Sequence, residues 1–254
     1  MIQALAAQRG SAAVAASSTD SAVVTYQQLG LAHRGRIVLR GVDGCVRRGS
    51  LTAVIGPNGA GKSTLLRATL GLLKPAHGQI TCHIPRERIA YLAQQSQIDR
   101  QFPLSVLDCV MLGFWPAARL WRRVGSAQRE AALQALQAAG LLDFADQPIG
   151  TLSSGQFQRM LFVRVQLQDA DFIVLDEPFN AVDAATTASL LDVVDGWHDE
   201  GRTVLAVLHD YQQVRARFPQ ALCLGEGRLL GWGPAATVLD ALAPDGPSGG
   251  GPQA

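Results

Sequence analysis

Residues 56–64 combine three glycines with a lysine and two hydroxyl side chains in the pattern G-x-x-x-x-G-K-[ST]. Such glycines let successive backbone N–H groups turn inward around phosphate oxygens, and a helix that follows directs its positive end at them. The positively charged lysine would contact the β- and γ-phosphates, and the first hydroxyl can ligate Mg²⁺. The pattern therefore predicts a nucleoside triphosphate site, and a plain glycine-rich turn is the weaker interpretation. The predicted contacts are Gly56, Pro57, Asn58, Gly59, Ala60, Gly61, Lys62, Ser63 and Thr64.

Two adjacent carboxylates follow a short apolar run, Phe172–Leu175. A buried strand that ends in this way places both side chains at the carboxyl edge of a sheet, where ligands of open α/β folds bind. Asp176 would hold Mg²⁺ there, directly or through water, and Glu177 would polarise an attacking water. An acidic pair at a strand end is as often a solvated turn as a site. The phosphate-binding pattern favours the site.

Alternating strand and helix patterns must position these residues. Residues 23–52 alternate apolar and polar side chains between glycines, which predicts short antiparallel strands. The rest indicates an α/β sandwich around a largely parallel sheet, with a helical insert. The expected strands are Leu51–Ile55, Phe172–Leu175 and Thr203–Leu208, and the expected helices are Ser63–Leu73, Ala127–Ala139 (stopped by Gly140), Gly155–Gln168 and Ala185–Trp197.

Composition excludes several classes of protein. The net charge of +1 gives no electrostatic footprint for nucleic-acid binding. Four scattered cysteines lack a C-x-x-C pair, so neither a disulfide framework nor a zinc ribbon is indicated. No run approaches the roughly 20 apolar residues of a membrane helix. Charged residues are only 17% of the chain, which suggests a surface that another chain covers.

The ends of the chain differ in composition from its centre. Residues 1–22 are rich in Ala and Ser, and residues 241–254 are rich in Gly and Pro, so both are expected to be flexible tails. One domain is expected over residues 23–240, with the helical lobe at about 98–168.

Between the two chemical motifs lies the pentapeptide Leu152-Ser-Ser-Gly-Gln156. On its own it would be a helix N-cap at Ser153 or Ser154. In order with the phosphate loop, a glutamine, the acidic strand and a histidine, it resembles ATP-binding subunits of ABC transporters, whose signature is Leu-Ser-Gly-Gly-Gln. The resemblance covers about Val24–Leu239. It implies a P-loop NTPase of the ABC nucleotide-binding type: an α/β fold with an antiparallel β-subdomain and an inserted helical lobe.

The resemblance also assigns roles to single residues. Gln94 stands where the family has a glutamine that reaches Mg²⁺ and the water, with Gln95 as the alternative by one position. Asp183 matches an aspartate that crosses the dimer interface, and its other interpretation is a helix N-cap. His209 matches a histidine that contacts the γ-phosphate.

Further contacts follow for both ends of the nucleotide. Ser153, Gly155 and Gln156 would contact the ATP of the opposite subunit, with Ser154 replacing a signature glycine. His33 falls where the family stacks an aromatic ring on adenine. Mg²⁺ would be held by Ser63, Gln94 and Asp176. Gln166 stands where relatives usually carry an apolar residue, and the sequence offers no functional reason for it.

The implied function is ATP hydrolysis that drives transport. Two copies would sandwich two ATP molecules and work on separate integral membrane permease subunits, with an extracytoplasmic solute-binding protein acting indirectly. The subunit would lie peripherally at the cytoplasmic face of the inner membrane. Residues 94–108 resemble ATPases of zinc, manganese and iron importers, with zinc first and manganese second.

Several alternatives stay open at this point. One alternative is that the transported cargo is a ferric siderophore or haem. A soluble ABC ATPase that takes no part in transport is a less favoured alternative. Five apolar residues would either line a groove for the permease or form ordinary core of the helical lobe. They are Phe102, Val106, Met111, Phe114 and Trp115.

Overall fold

The computed structural model describes residues 21–33, 35–95, 98–114 and 125–242. Nine strands run through these residues and form a single sheet in the order β4-β1-β2-β9-β8-β3-β7-β6-β5. The strands are β1 (Ala22–His33), β2 (Arg36–Arg47), β3 (Leu51–Ile55), β4 (His77–Cys82), β5 (Ile89–Leu92), β6 (Phe172–Asp176), β7 (Thr203–Val207), β8 (Gln220–Gly225) and β9 (Arg228–Pro234).

The sheet has two parts with different pairing. Strands β8, β3, β7, β6 and β5 are all parallel, and Ala53 at the centre of β3 pairs with Ala206 and Ala221. β1 is antiparallel to both β2 and β4. Every residue of β3, β6 and β7 is buried, as expected for central strands that are covered on both faces. The predicted α/β fold with an antiparallel subdomain is confirmed.

The described residues form seven α-helices. They are α1 (Lys62–Thr69), α2 (Val106–Met111), α3 (Ser126–Ala138), α4 (Ser154–Leu167), α5 (Ala184–Asp199), α6 (Tyr211–Arg217) and α7 (Ala235–Asp240). Helices α2, α3 and α4 form the inserted lobe between β5 and β6. The longest described helix has 16 residues, and none of the described helices has the length and apolar character to cross a membrane.

Glycine determines where two of these helices end. The predicted helix Ser63–Leu73 is too long, because Gly71 is left-handed at φ 71° and α1 stops at Thr69. There the N–H of Leu72 donates to Arg67 O at 2.8 Å and that of Gly71 to Ala68 O at 2.9 Å, the pattern of a Schellman cap. Gly140 ends α3 in the same way, as predicted.

Helices α4 and α5 are joined by aromatic packing. Trp197 is fully buried and stacks on Phe162, with ring centroids 5.4 Å apart and planes 15° apart. Its indole N–H donates to Oε1 of Gln166. An apolar residue at position 166 would leave that buried donor unpaired, which gives the glutamine a structural reason.

Each of the two interpretations of the five apolar residues holds for some of them. Val106 is fully buried, and Met111 and Phe114 are partly buried against the same core, so these three are core of the lobe. Phe102 is 57% exposed and fits a surface for another chain. Trp115 lies outside the described residues.

The expected tails fall mostly on residues 1–20 and 243–254, which lie outside the described part of the chain. β1 already begins at Ala22, which is buried. Leu242 packs against the core at the other end.

Candidate active site

The phosphate-binding pattern forms the turn between β3 and α1, as predicted. Gly56, Gly59 and Gly61 have φ angles of 139°, 80° and 98°, a region that glycine adopts without steric cost. A Cβ at position 56 would lie 2.0 Å from the carbonyl oxygen of Leu224 on β8. Gly61 is the N-cap of α1 and uses only its backbone there. The loop thus presents backbone N–H groups at a helix N-terminus, which suits phosphate.

Lys62 holds its ammonium group inside this loop. Its Nζ donates to the carbonyl oxygens of Gly56 at 2.7 Å and Pro57 at 3.0 Å, and the residue is only 5% exposed. Burial lowers the pKa of Lys62, and the nearby charges of Glu177 and Asp176 act in the opposite direction. The loop therefore contains a fixed cation at the base of the site.

Asp176 joins the acidic strand to the loop. Ser63 Oγ donates to its Oδ1 at 2.9 Å, while Oδ2 is buried and accepts no hydrogen bond of normal geometry from the described residues, although the hydroxyl of Tyr91 lies near the carboxylate. Burial raises the pKa of Asp176, partly offset by the Ser63 hydrogen bond. A buried carboxylate oxygen without a donor, beside a hydroxyl, is the oxygen donor set that Mg²⁺ prefers, so the residues present fit the metal.

Glu177 has both carboxylate oxygens occupied. Oε1 lies 2.9 Å from Nε2 of His209, and Oε2 accepts from Nε2 of Gln94 at 2.8 Å and Nδ2 of Asn180 at 3.2 Å. Its backbone is left-handed at φ 53°, an uncommon conformation for a glutamate and one that is typical of strained functional positions. Three of the four predicted catalytic residues, Gln94, Glu177 and His209, are therefore in contact.

Two cavities meet at Glu177. One, of about 280 Å³, is lined by the phosphate loop. The other, of about 520 Å³, lies between α5 and the residues after β7 and includes Asn180, His209 and Gln213. Glu177 borders both, so its carboxylate faces the place where the loop would hold a phosphate chain.

The adjacent glutamines contact different partners. Gln94 donates to Glu177, whereas Nε2 of Gln95 donates to Oε1 of Gln158 at 2.5 Å and to the carbonyl of Ser154 at 3.4 Å. This separates the two positions that the sequence left open. Gln94 belongs to the site, and Gln95 binds the first turns of α4.

The signature pentapeptide forms the start of α4. Ser153 is the N-cap: its Oγ accepts from the N–H of Gln156 at 3.2 Å, and its own N–H donates to Gln156 Oε1 at 2.9 Å. This capping box excludes Ser154 as the N-cap. Ser154 is the first helical residue and not among the left-handed ones, so a serine in place of glycine causes no backbone strain.

Asp183 lies beside this helix start. It caps α5, accepting from the N–H and the hydroxyl of Thr186 at 2.8 Å each, which lowers its pKa. A Cβ on Gly155 would lie 3.6 Å from its Oδ2. Among the described contacts no hydrogen bond joins Asp183 to Glu177. The N-cap interpretation is confirmed. Asp183 lies next to Gly155, a residue of the signature pentapeptide.

The adenine contact stays a prediction. The backbone of His33 ends β1 opposite Arg36, but its side chain lies outside the described part of the structure. Two residues at the site were not predicted. Val38 lines the phosphate cavity and would contact a Cβ on Gly61, and Asn180 contacts Glu177. The available signal for Val38 was the alternation of apolar and polar residues along β2. For Asn180 it was the spacing of three residues from Glu177.

Comparison with known proteins agrees with this geometry. Residues 39–180 match the family model described as ABC transporter. The manganese transport system ATP-binding protein MntB of Listeria innocua is 37% identical over 216 residues, 83% of this chain and 90% of that protein. The zinc transport system ATP-binding protein TroB of Treponema pallidum is 39% identical over 212 residues, 82% of this chain and 80% of that one.

A further relative and two solved structures extend the comparison. The zinc import ATP-binding protein ZnuC of Pseudomonas entomophila is 40% identical over 206 residues, 81% of this chain and 76% of that one. An ABC transporter solved in an inward-facing conformation aligns with TM-score 0.76 and 26% identity, covering 86% of this chain and 85% of that one. A dimeric ATP-binding cassette with ADP and phosphate aligns with TM-score 0.73 and 24% identity, over 84% of this chain and 98% of that chain, which shows the shared fold.

Proposed function

The chain belongs to the ABC transporter family, and we infer that it is the ATP-hydrolysing subunit of an importer for a divalent transition metal. It is an ATPase with the nucleotide-binding fold of that family. The kind of cargo is inferred from the sequence identity of 37–40%, over more than four fifths of the chain, to relatives named for manganese and zinc transport. We place zinc first and manganese second.

Glu177 is the residue that we assign as general base. Its carboxylate borders the phosphate cavity and is held at both oxygens by Gln94, Asn180 and His209. A carboxylate so placed polarises a water for in-line attack on the γ-phosphate. Catalysis of this reaction is mostly positioning and charge stabilisation, which requires that the base does not move.

Lys62 and three oxygen-bearing side chains would hold the triphosphate and its metal. We assign Ser63, Asp176 and Gln94 to Mg²⁺, which when bound neutralises charge on the β- and γ-phosphates. The buried Oδ2 of Asp176, which accepts no hydrogen bond of normal geometry from the described residues, supports this assignment. His209, on the other side of Glu177, is assigned to the γ-phosphate.

A second copy of this chain would complete the site. Ser153 is exposed at the start of α4, and Gly155 lies against Asp183, so the signature and the start of α5 form one continuous surface. We propose that this surface contacts the ATP held by the opposite copy. Ser153, Gly155 and Gln156 would then bind the γ-phosphate at a helix N-terminus.

The membrane partner would be a pair of permease subunits, supplied with metal by an extracytoplasmic binding protein. Exposed apolar side chains on the helical lobe, Phe102 at 57% and Leu112 at 41%, support a contact of this kind. The ATPase would then lie peripherally at the cytoplasmic face of the membrane.

The test is the metal content of cells that lack this gene, grown at limiting zinc, manganese or iron. We expect a selective fall in zinc or manganese that is reversed by the parent gene and not by Glu177→Gln. Unchanged contents of all three metals would overturn metal import while leaving the ATPase assignment intact. A fall in iron alone, seen only when iron is supplied as a siderophore complex or haem, would replace the cargo.

A further inference from the structure

The structure assigns a positioning role to Asn180, a residue outside the predicted set of site residues. This inference rests on the proposed role of Glu177 as the base. Asn180 Nδ2 donates to Oε2 of Glu177 at 3.2 Å, beside the bond from Gln94 at 2.8 Å. We propose that Asn180 fixes the direction of the carboxylate, so that its remaining acceptor site faces the phosphate loop.

The backbone between the two residues supports this role. The N–H of Asn180 donates to the carbonyl oxygen of Glu177 at 3.3 Å, which closes a tight turn. Both Glu177 and Ala181 are left-handed, with φ angles of 53° and 59°. Residues other than glycine rarely adopt this region, and here two do so within five residues. The strained turn brings the amide of Asn180 back over the carboxylate three residues before it.

Asn180 differs from the other two partners of Glu177 in its location. Gln94 follows β5 and His209 follows β7, so each reaches the carboxylate from a separate segment of the chain. Asn180 lies in the same turn as Glu177, and its contact therefore persists when those segments shift relative to the turn. Glu177 therefore keeps one hydrogen-bond partner, Asn180, when Gln94 and His209 move away from it.

The charges around Glu177 determine how a change at position 180 would act. His209 faces one oxygen, Lys62 reaches from α1, and Asp176 precedes it on β6. A neutral amide adds a donor without adding charge. A carboxylate at position 180 would instead remove the donor and place a second negative group within hydrogen-bond distance of Glu177, which would push the two side chains apart.

The experiment measures kcat and KM for ATP hydrolysis by the purified full-length protein, with Mg²⁺ and varied ATP. For Asn180→Ala we expect kcat to fall about tenfold with KM for ATP within a factor of about two, as for loss of an oriented catalytic contact. For Asn180→Asp, which replaces the donor by a repelling carboxylate, we expect a fall in kcat at least as large, again with KM within a factor of about two. Asn180 is exposed, so neither change disturbs the core.

Gln213→Ala is the matched control, because this amide lines the same cavity without a hydrogen bond from its side chain to Glu177 among the described contacts. It should leave both kcat and KM for ATP unchanged. If Asn180→Ala and Asn180→Asp both behave like Gln213→Ala while Glu177→Gln abolishes hydrolysis, the positioning role is wrong and the base assignment stands. If Glu177→Gln hydrolyses ATP like the parent, the base assignment fails first, independently of what is transported.

Discussion

Oγ of Ser63 donates to Oδ1 of Asp176 at 2.9 Å across 113 residues of sequence. The contact joins the start of α1 to the end of β6, so the phosphate loop and the acidic strand are one unit before any ligand is considered. It also leaves Oδ2 of Asp176 buried and without a hydrogen bond of normal geometry from the described residues. Burial of that oxygen reduces stability in the free protein, which the nearby hydroxyl of Tyr91 offsets only in part, and a bound cation would compensate for it.

Asp176→Asn should therefore stabilise the free protein while abolishing Mg²⁺-dependent hydrolysis. Burial raises the pKa of Asp176, so the folded state binds protons more tightly than the unfolded chain, and this carboxylate contributes less stability as the pH rises above its unfolded pKa. The neutral variant is expected to melt at a higher temperature than the parent at pH 7, with the difference vanishing near pH 4. Thermal melting at both pH values, without nucleotide, measures this.

Asp183→Ala is the control of opposite sign. The N–H and hydroxyl of Thr186 lower the pKa of Asp183, so its stabilising effect is present above the unfolded pKa and is lost as the pH falls. This variant should melt below the parent at pH 7. A lower melting temperature for Asp176→Asn would show that the hydroxyl of Tyr91 already stabilises the buried carboxylate in the free protein.

Gln94→Ala and Gln95→Ala should differ although the residues are adjacent. Gln94 contacts Glu177, so its loss should lower kcat for ATP hydrolysis by about tenfold or more. Gln95 contacts Gln158 and Ser154 at the start of α4, so its loss should weaken ATP binding between copies rather than the chemical step. Single-turnover and steady-state kinetics separate the two, and equal effects on the chemical step would contradict the division.

Whether a feature of the fold or of the site could be predicted from the sequence depends on how local its contacts are. The phosphate loop was fully predictable, because its glycines impose their own backbone conformation. The helix that follows was predicted to end four residues too late because the left-handed Gly71 gave no signal stronger than the apolar residues around it. The partners of Glu177 come from β5, β7 and its own turn, so only motif order pointed to Gln94 and His209. For Asn180 the local signal was its spacing of three residues from Glu177, which by itself does not indicate a contact.

Gly56→Ala should prevent folding of the loop, whereas Gly59→Ala should be tolerated. A Cβ at position 56 would lie 2.0 Å from Leu224 O, a backbone atom of a central strand that has no room to move. At Gly59 nothing lies within 4 Å, so the cost is only that of a left-handed alanine, about 1–2 kcal/mol. Urea unfolding of the two variants measures the difference, and similar stabilities would show that β8 adapts to the added methyl group.

Gln166→Leu should destabilise the protein by about 1–3 kcal/mol, because it leaves the buried indole N–H of Trp197 without its acceptor. The side chain is otherwise of suitable size for the space between α4 and α5, so the loss reports the unpaired donor rather than a cavity. Urea unfolding followed by tryptophan fluorescence measures it.

The double variant Gln166→Leu with Trp197→Phe tests the cause, since it removes donor and acceptor together. Trp197→Phe alone loses ring area against Phe162, which stacks on it at 5.4 Å. If the hydrogen bond is the reason for the glutamine, adding Gln166→Leu to Trp197→Phe should cost less than adding it to the parent, by about 1 kcal/mol or more. Equal costs in the two backgrounds would mean that Gln166 acts through some contact other than the indole, and the aromatic junction between α4 and α5 would need another explanation.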